Sequence, residues 1–362
     1  MNERDERMEL LGSAPMPKAL LAMGLPAMIG MMINALYNLA DAYFVGGLGT
    51  SQMGAVAVAF PLGQIIVGLG LLFGNGAASY ISRLLGNGGK EAADKVASTA
   101  LYGSLFVGAA FIICALAFLS PILRILGATE SILPYAVSYA RICVISSIFN
   151  VFNVTMNNIV TSEGAAKTTM CALLAGALLN VILDPVFIYA LHLGIAGAAI
   201  ATAISQLVST MVYIGYVLGK RSVFSFSIRE CRFKKDTMRE ILKIGVPTLA
   251  FQLLTSLSIM LINMRAGRYG DSTIAGMGAV TRIISLGSLM VFGFIKGFQP
   301  IAGYSYGAKK YDRLHEAIKT SAIWSSLFCV SFGLAATIFS TALVSQFTKG
   351  DIEMIAVGGK AL

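Results

Sequence analysis

Nine predominantly apolar stretches, each long enough to cross a lipid bilayer as a helix, fill most of this sequence: 19–44, 54–81, 96–120, 136–160, 168–191, 194–218, 241–264, 274–301 and 317–340. A hydrocarbon core about 30 Å thick takes about 20 apolar residues of α-helix. The helix is favoured there because it satisfies its own backbone hydrogen bonds where water is absent. A tenth stretch begins near 352. The pattern predicts an all-α, multi-pass membrane protein, with the lipid bilayer as its first partner. Composition agrees: 12% of residues are charged and 56% hydrophobic, against about 25% charged in an ordinary soluble domain. That excludes a soluble globular enzyme, a disordered chain and a disulfide scaffold. The 38 glycines and 17 methionines fit closely packed membrane helices. The formal charge of +9 does not point to nucleic acid, because the basic residues sit in short loops between apolar stretches. Cys114, Cys143, Cys171, Cys231 and Cys329 form no CxxC pair and read as reduced packing residues. The opening MNERDERMEL has no apolar core, so no cleavable signal is expected.

Cytoplasmic loops collect Lys and Arg. One set of connections holds Arg4, Arg7 and Lys18 before the first span, Arg83, Lys90 and Lys95 after the second, and Lys167 after the fourth. It continues with Lys220, Arg221, Arg229, Arg232, Lys234, Lys235 and Arg239 after the sixth, and Lys309, Lys310 and Arg313 after the eighth. The alternate set holds only Arg124, Arg265, Arg268 and Lys349. The N-terminus is therefore expected inside the cell. The expected division is a cytoplasmic segment 1–18, a first lobe of six helices over 19–218, a cytoplasmic linker 219–240, and a partial second lobe 241–362 with three helices and the start of a fourth.

Shifted by 221 residues, the sequence matches itself without gaps. Gly24 and Pro26 meet Gly245 and Pro247; Gly49 and Ser51 meet Gly270 and Ser272; Phe73 and Gly76 meet Phe294 and Gly297; Gly86 meets Gly307; Thr99, Ser104, Ala115 and Phe118 meet Thr320, Ser325, Ala336 and Phe339. A constant offset over so long a stretch marks a structural repeat. Six helices separate the two starts, so both halves enter from the same side, as parallel repeats about an axis along the membrane normal. A whole second unit would bring the protein to twelve helices and about 440 residues. The GxxxG pairs Gly70–Gly74 and Gly293–Gly297 read as ordinary close packing.

Of the 18 acidic residues, only Asp41 and Asp184 fall inside the nine spans. A charge near the bilayer centre costs about 2.5–3.5 kcal/mol on insertion scales, so an acid there is functional by default. The first span carries Asn34, Tyr37, Asn38 and Asp41 at i, i+3, i+4 and i+7, one helical face. The fifth carries Asn180 and Asp184 one turn apart, followed by Pro185, which removes a donor and leaves the Val181 carbonyl without its usual partner. Pro26 does the same to the Ala22 carbonyl in the first span. The fourth span adds Asn150, Asn153 and Asn157, with Tyr139 and Arg141 at its outer end; the sixth adds Thr202, Ser205, Gln206 and Ser209. Polar stripes on four of six helices must face one another or water, which predicts a polar cavity in the first lobe with both aspartates on its wall. Oxygen donors of this kind suit a hard cation such as Na⁺, and buried carboxylates also suit proton carriage. Alternatives stand beside this reading: Asp41 as an interfacial helix end, either aspartate paired with Arg282 or Lys296, and the stripes as interhelical hydrogen bonding alone. In the second half Ile262 replaces Asp41; Asn263 is a further polar residue there, and Gln252, Thr255, Ser256 and Arg282 are read as a candidate substrate cavity.

No G-x-x-x-x-G-K-[ST], HExxH or GxSxG motif occurs, so neither ATP hydrolysis nor enzyme chemistry is expected. The segments AMGLPAMIG, NLADAYFVGGLG, LNVILDPVFIYALHLGIAGAAIAT and GFQPIAGYSYGAKKYDR resemble the multidrug and toxic-compound extrusion (MATE) family, in its bacterial DinF-like and MepA-like branch. The resemblance implies two six-helix lobes around a central cleft in the inner membrane. It also implies antiport of Na⁺ or H⁺ against bulky, often cationic or aromatic small molecules. It carries the cation site onto Asp41, Asn180, Asp184 and Thr202, and supporting cavity positions onto Tyr139 and Asn157. Asn34, Tyr37, Asn38, Asn153 and Gln206 join them from the polar stripes. Pro26 becomes the bending proline, with Pro185 as a second helix-bending position. No cofactor and no tightly bound metal is expected beyond Na⁺ or H⁺ at Asp41 and Asp184, and a monomer is expected. Two rivals remain: a flippase for lipid-linked sugars or cell-wall precursors, and a non-transporting membrane receptor or scaffold.

Overall fold

A computed structural model describes the backbone of residues 3–266, 271–345 and 359–362, and the side chains of 5–49, 51–258, 261–262, 280–345 and 359–362. The tenth stretch near 352, Lys349, and the side chains of Arg4, Asn263, Arg265 and Arg268 lie outside the described residues. Among the described residues there is no strand, and nine helices are long and apolar enough to cross a membrane. In chain order the helices are α1 (Glu3–Gly12), α2 (Met16–Gly46), α3 (Thr50–Gly86), α4 (Lys90–Ala117), α5 (Leu119–Ile125) and α6 (Leu133–Ser162). They continue as α7 (Ala166–Pro185), α8 (Gly194–Leu218), α9 (Lys235–Ala266), α10 (Asp271–Gly307), α11 (Tyr311–Ile338) and α12 (Ser340–Ser345). Each of the nine spans read from the sequence falls on a long helix, but three overrun its end: 96–120 passes the end of α4 at Ala117, 168–191 the end of α7 at Pro185, and 317–340 the end of α11 at Ile338. Most of the helices run several residues past the apolar stretch, because hydropathy detects only the lipid-facing part and helical hydrogen bonding continues into polar flanks.

Prolines mark two local features. Pro26 sits inside an unbroken α2. After Pro185 the chain makes a π-helical turn, Val186–Ala190. Pro185 cannot donate to the carbonyl four residues earlier, and single π turns are a common way for a helix to absorb such a fault near functional groups.

The 221-residue offset reappears in the helix bounds: α3 and α10 begin and end 221 residues apart, as do α4 and α11, and α5 and α12 start 221 apart. It also governs how the halves touch. α2 crosses α10 at Gly24 and Gly297, where a Cβ on Gly297 would lie 2.5 Å from the Gly24 Cα. The equivalent crossing, α9 on α3, uses Gly245 against the Leu72 carbonyl and Gly76 against the Ile241 carbonyl. Between the two crossings α3 meets α10 reciprocally: Gly86 abuts the Tyr304 carbonyl, and Gly307 abuts the Arg83 carbonyl. Residues 83 and 304, like 86 and 307, are repeat mates, so this contact is self-complementary in the manner of a two-fold interface. All these approaches fall in the half of each helix nearer α1. We call that the proximal end.

Apolar packing follows the same layout. Phe73, Ile81, Met156, Ile159, Tyr213 and Ile241 form the main core where α3, α4, α6, α8 and α9 converge. Leu62, Leu119, Leu123, Ala136 and Ile195 close the distal end of the first half. A third cluster joins Leu11, Leu20 and Met23 to Phe294, Ile301 and Ala317, tying α1 and α2 to α10 and α11.

Candidate cation site

Three helices bring the site together. α2 packs along α7, and α7 along α8. Asp184 and Asn180, one turn apart on α7, are buried to 0% and 1% exposure. The Asn180 Nδ2 donates to Asp184 Oδ1 at 3.2 Å and to Thr202 Oγ1 of α8 at 3.3 Å. Asp41 reaches in from α2, near enough for the two carboxylates to interact electrostatically. Tyr37 and Tyr139 border Asp41 in the same way, and Tyr139 is also hydrogen-bonded with Cys143. The acceptors left over are the notable feature. Asp41 Oδ1, Asn180 Oδ1 and Asp184 Oδ2 are buried without any hydrogen-bond donor, and so is Gln206 Oε1, one turn from Thr202. Buried acceptors are nearly always paired, and carboxylate and amide oxygens left without a donor are ones that a cation or a proton donor would satisfy. Neither aspartate forms an ion pair among the described residues; Lys296 donates to Asn157 and Arg282 is exposed.

The remaining expected residues fall into separate groups. Asn38 is exposed and donates back to Asn34, to its backbone oxygen at 2.7 Å and its side-chain oxygen at 2.9 Å. Asn153 joins α6 to α8, donating to the Gln206 carbonyl at 2.8 Å and accepting from Thr210 at 3.0 Å. Asn157 lies a turn further toward the proximal end, donating to the Tyr213 hydroxyl at 3.0 Å and accepting from Lys296. In the second half the Thr255 and Ser256 hydroxyls bond the carbonyls of Phe251 and Gln252 on their own helix.

Several polar contacts were not foreseen. Asn75 Nδ2 donates to Thr248 Oγ1 at 2.9 Å, and Arg83 pairs with Glu240 at 2.8 Å, both across the two halves. Asn75 and Lys296 are repeat mates and each reaches into the opposite half. Glu163 gave no signal. It is fully buried at the end of α6 and accepts from the Tyr216 hydroxyl at 2.6 Å, Ser222 Oγ at 3.0 Å and the Val223 amide at 2.6 Å. Burial dominates there and pushes its carboxyl up to about 7.

The family model described as MatE matches residues 26–186 and 247–362. The multidrug export protein MepA of Staphylococcus aureus (strain MSSA476) is 31% identical over 348 residues, covering 96% of this chain and 75% of that protein. Among solved structures, the outward-facing conformation of a multidrug resistance MATE family transporter of the MOP superfamily superposes with a TM-score of 0.92 at 30% identity, covering 98% of this chain and 79% of that one. A MOP superfamily transporter from Pyrococcus furiosus, described as having a binding pocket of reverse polarity that suggests a different function, superposes with a TM-score of 0.90 at 30% identity, covering 97% and 78%.

Proposed function

The chain belongs to the MatE family, and from that premise we propose that it is a secondary antiporter exporting bulky, often cationic or aromatic small molecules in exchange for Na⁺ or H⁺ bound between Asp41 and Asp184. The observation that carries the reading is the set of donorless buried oxygens on Asp41, Asn180 and Asp184. Two carboxylates near enough to interact destabilise each other's charge, and a cation or proton between them removes that cost. Asn180 and Thr202 hold the Asp184 side of the site; Tyr37, Tyr139 and Gln206 border it. Two lobes, 19–218 and 241–362 joined by 219–240, rock about the repeat axis, with the proximal end cytoplasmic because its loops hold most of the Lys and Arg. Pro26 lies on α2 between Asp41 and the Gly24 crossing, where a change of bend converts occupancy of the site into a change of crossing. Inward movement of the cation draws on about 2.3 kcal/mol per charge per 100 mV.

The test is ethidium efflux from cells producing the chain, with Na⁺ removed and pH clamped in separate arms. Efflux that stops in one arm identifies the ion. Asp41→Asn and Asp184→Asn should each abolish efflux at unchanged membrane abundance. Full drug resistance in both variants would defeat the proposal.

A further inference from the structure

The segment ahead of the first membrane helix crosses from one half of the protein to the other. On the first-half side, Arg7 of α1 is buried, donates to the Tyr216 hydroxyl and to the Arg221 carbonyl at 3.0 Å, and stacks its guanidinium over the Tyr216 ring. Tyr216 in turn donates to the buried Glu163. On the second-half side, Arg313 at the start of α11 grips the C-terminal end of α1. It donates to the carbonyls of Leu10 at 3.3 Å, Leu11 at 3.4 Å and Ala14 at 2.6 Å, while Lys310 donates to the Gly12 carbonyl at 2.9 Å. The last carbonyls of a helix have no partner within it and carry partial negative charge, so two cations there are well placed. Leu11, fully buried, packs into the cluster that includes Ile301 and Ala317.

The repeat gives this arrangement a counterpart. Residues 3–12 are equivalent, 221 positions later, to 224–233, which precede the second half and pack back on the first. The Phe226 carbonyl accepts from Tyr102 at 3.0 Å, Thr99 is bonded both ways with the Arg232 backbone, and the Ser225 amide donates to Asp94 at 2.7 Å. Each repeat thus sends its leading segment onto the α3–α4 or α10–α11 region of the other.

We propose that α1 is a strap holding the proximal end shut, and that Arg313 is the positioning residue whose hold on the α1 C-terminus must release before the halves part there. The proposal rests on the reading that the two halves rock. When the proximal end opens, α10 and α11 move away from the first half, while Arg7 and Glu163 keep the other end of the strap in place. The Arg313 and Lys310 contacts with α1 are therefore the ones that break.

The test uses the full chain in proteoliposomes, with the five native cysteines replaced and a single thiol introduced. Ser82→Cys reports the proximal interface, since Ser82 is fully buried and faces Gly303. Leu36→Cys reports the exposed distal part of α2. Arg313→Gln should raise the maleimide labelling rate at Ser82→Cys roughly tenfold, the scale of a lost charge-assisted hydrogen bond, while the rate at Leu36→Cys falls or stays level. Arg313→Lys should give an intermediate value. Lys310→Gln should move both rates in the same directions and serves if Arg313→Gln folds poorly. Unchanged labelling at Ser82→Cys, or equal rises at both thiols, would overturn the strap. Labelling does not require export, so opposed changes in a chain that exports nothing would support the strap while defeating the transport reading.

Discussion

The reciprocal contact between α3 and α10 makes an unusual demand on two alanine substitutions. A Cβ at position 86 would meet the Tyr304 carbonyl, and one at 307 the Arg83 carbonyl. Both obstacles are backbone, so no side chain can rotate away and α3 must separate from α10. Overpacking by one methyl in a close-packed contact costs about 1–3 kcal/mol, which shifts the closed proximal state by roughly five- to 150-fold at 1.4 kcal/mol per decade. Because the two contacts are repeat mates, Gly86→Ala and Gly307→Ala should open the proximal end to similar degrees. A separation sufficient for one methyl also makes room for the other, so the double variant should open it by less than the product of the single effects, a coupling measurable in a double-mutant cycle. Gly333→Ala on α11, where a Cβ would meet nothing within 4 Å, controls for the general helix preference for alanine. The assay is maleimide labelling of Ser82→Cys in the cysteine-free chain. Labelling at the control rate in either single variant, strongly unequal effects, or full multiplicativity in the double variant would refute the reasoning.

Other outcomes follow from the same geometry. Burial holds the Glu163 carboxyl near 7 rather than its ordinary 4.5, against the hydrogen bonds it accepts from Tyr216, Val223 and Ser222 and the charge of Arg7. The folded protein therefore keeps a proton that the unfolded chain releases. Stability from this group is full below about pH 4.5 and is lost as pH rises to about 7. Thermal melts of Glu163→Gln at pH 5, 6, 7 and 8 should lack that slope, and a slope equal to that of the unsubstituted chain would contradict the assignment. Lys296→Met leaves Asn157 Oδ1 without its donor across the halves, a loss of about 1–3 kcal/mol, and should raise proximal labelling; unchanged labelling would remove Lys296 from the closed interface. Thr202→Val deletes the acceptor that Asn180 uses on α8 and should weaken ion-driven efflux without reducing membrane abundance, whereas Thr255→Val, whose hydroxyl bonds only its own helix, should leave efflux within twofold.

The membrane helices were legible because lipid imposes a length and a composition on anything that crosses it. The short helices were not. α1, α5 and α12 lie outside the long apolar runs or at their edges, and their place is fixed by what they dock against. The repeat was legible as scattered matches, yet nothing in those matches said that Gly24, Gly76, Gly86, Gly245, Gly297 and Gly307 are where the two halves touch. That role belongs to the pairing of distant helices, which a one-dimensional offset does not contain. Asp41 and Asp184 stood out because an intramembrane carboxylate is costly enough to need a reason. The asparagines of α6 show the limit of such reading: helical spacing puts Asn153 and Asn157 on one face, but which neighbour each meets depends on α8 and α10. Asn153 clamps α8, and Asn157 spends its amide on Tyr213 and Lys296. Glu163 was invisible because a lone acid at a helix end is usually solvated, and only the fold covers it with Tyr216, Ser222 and Val223.

The distance between the carboxylate site and the proximal closure is spanned by one continuous element. α2 carries Asp41 near its distal end and the Gly24 crossing near its proximal end, with Pro26 between them and no break in the helix. A helix packed on α7 along its length and on α10 at its base cannot change its bend at one end without altering the contact at the other. On the proposed antiport reading, occupancy of the site and closure of the proximal end are two biases on one mechanical state. Linkage requires such biases to be reciprocal. If a cation at Asp41 and Asp184 favours one crossing of α2 on α10, substitutions that disturb only that crossing must change the apparent affinity for the cation through the fraction of protein in the binding-competent state. Gly297→Ala, whose Cβ would lie 2.5 Å from the Gly24 Cα and which touches neither aspartate, would therefore shift ion binding in step with proximal labelling. An ion affinity that stayed constant while labelling rose would show that α2 does not join the two.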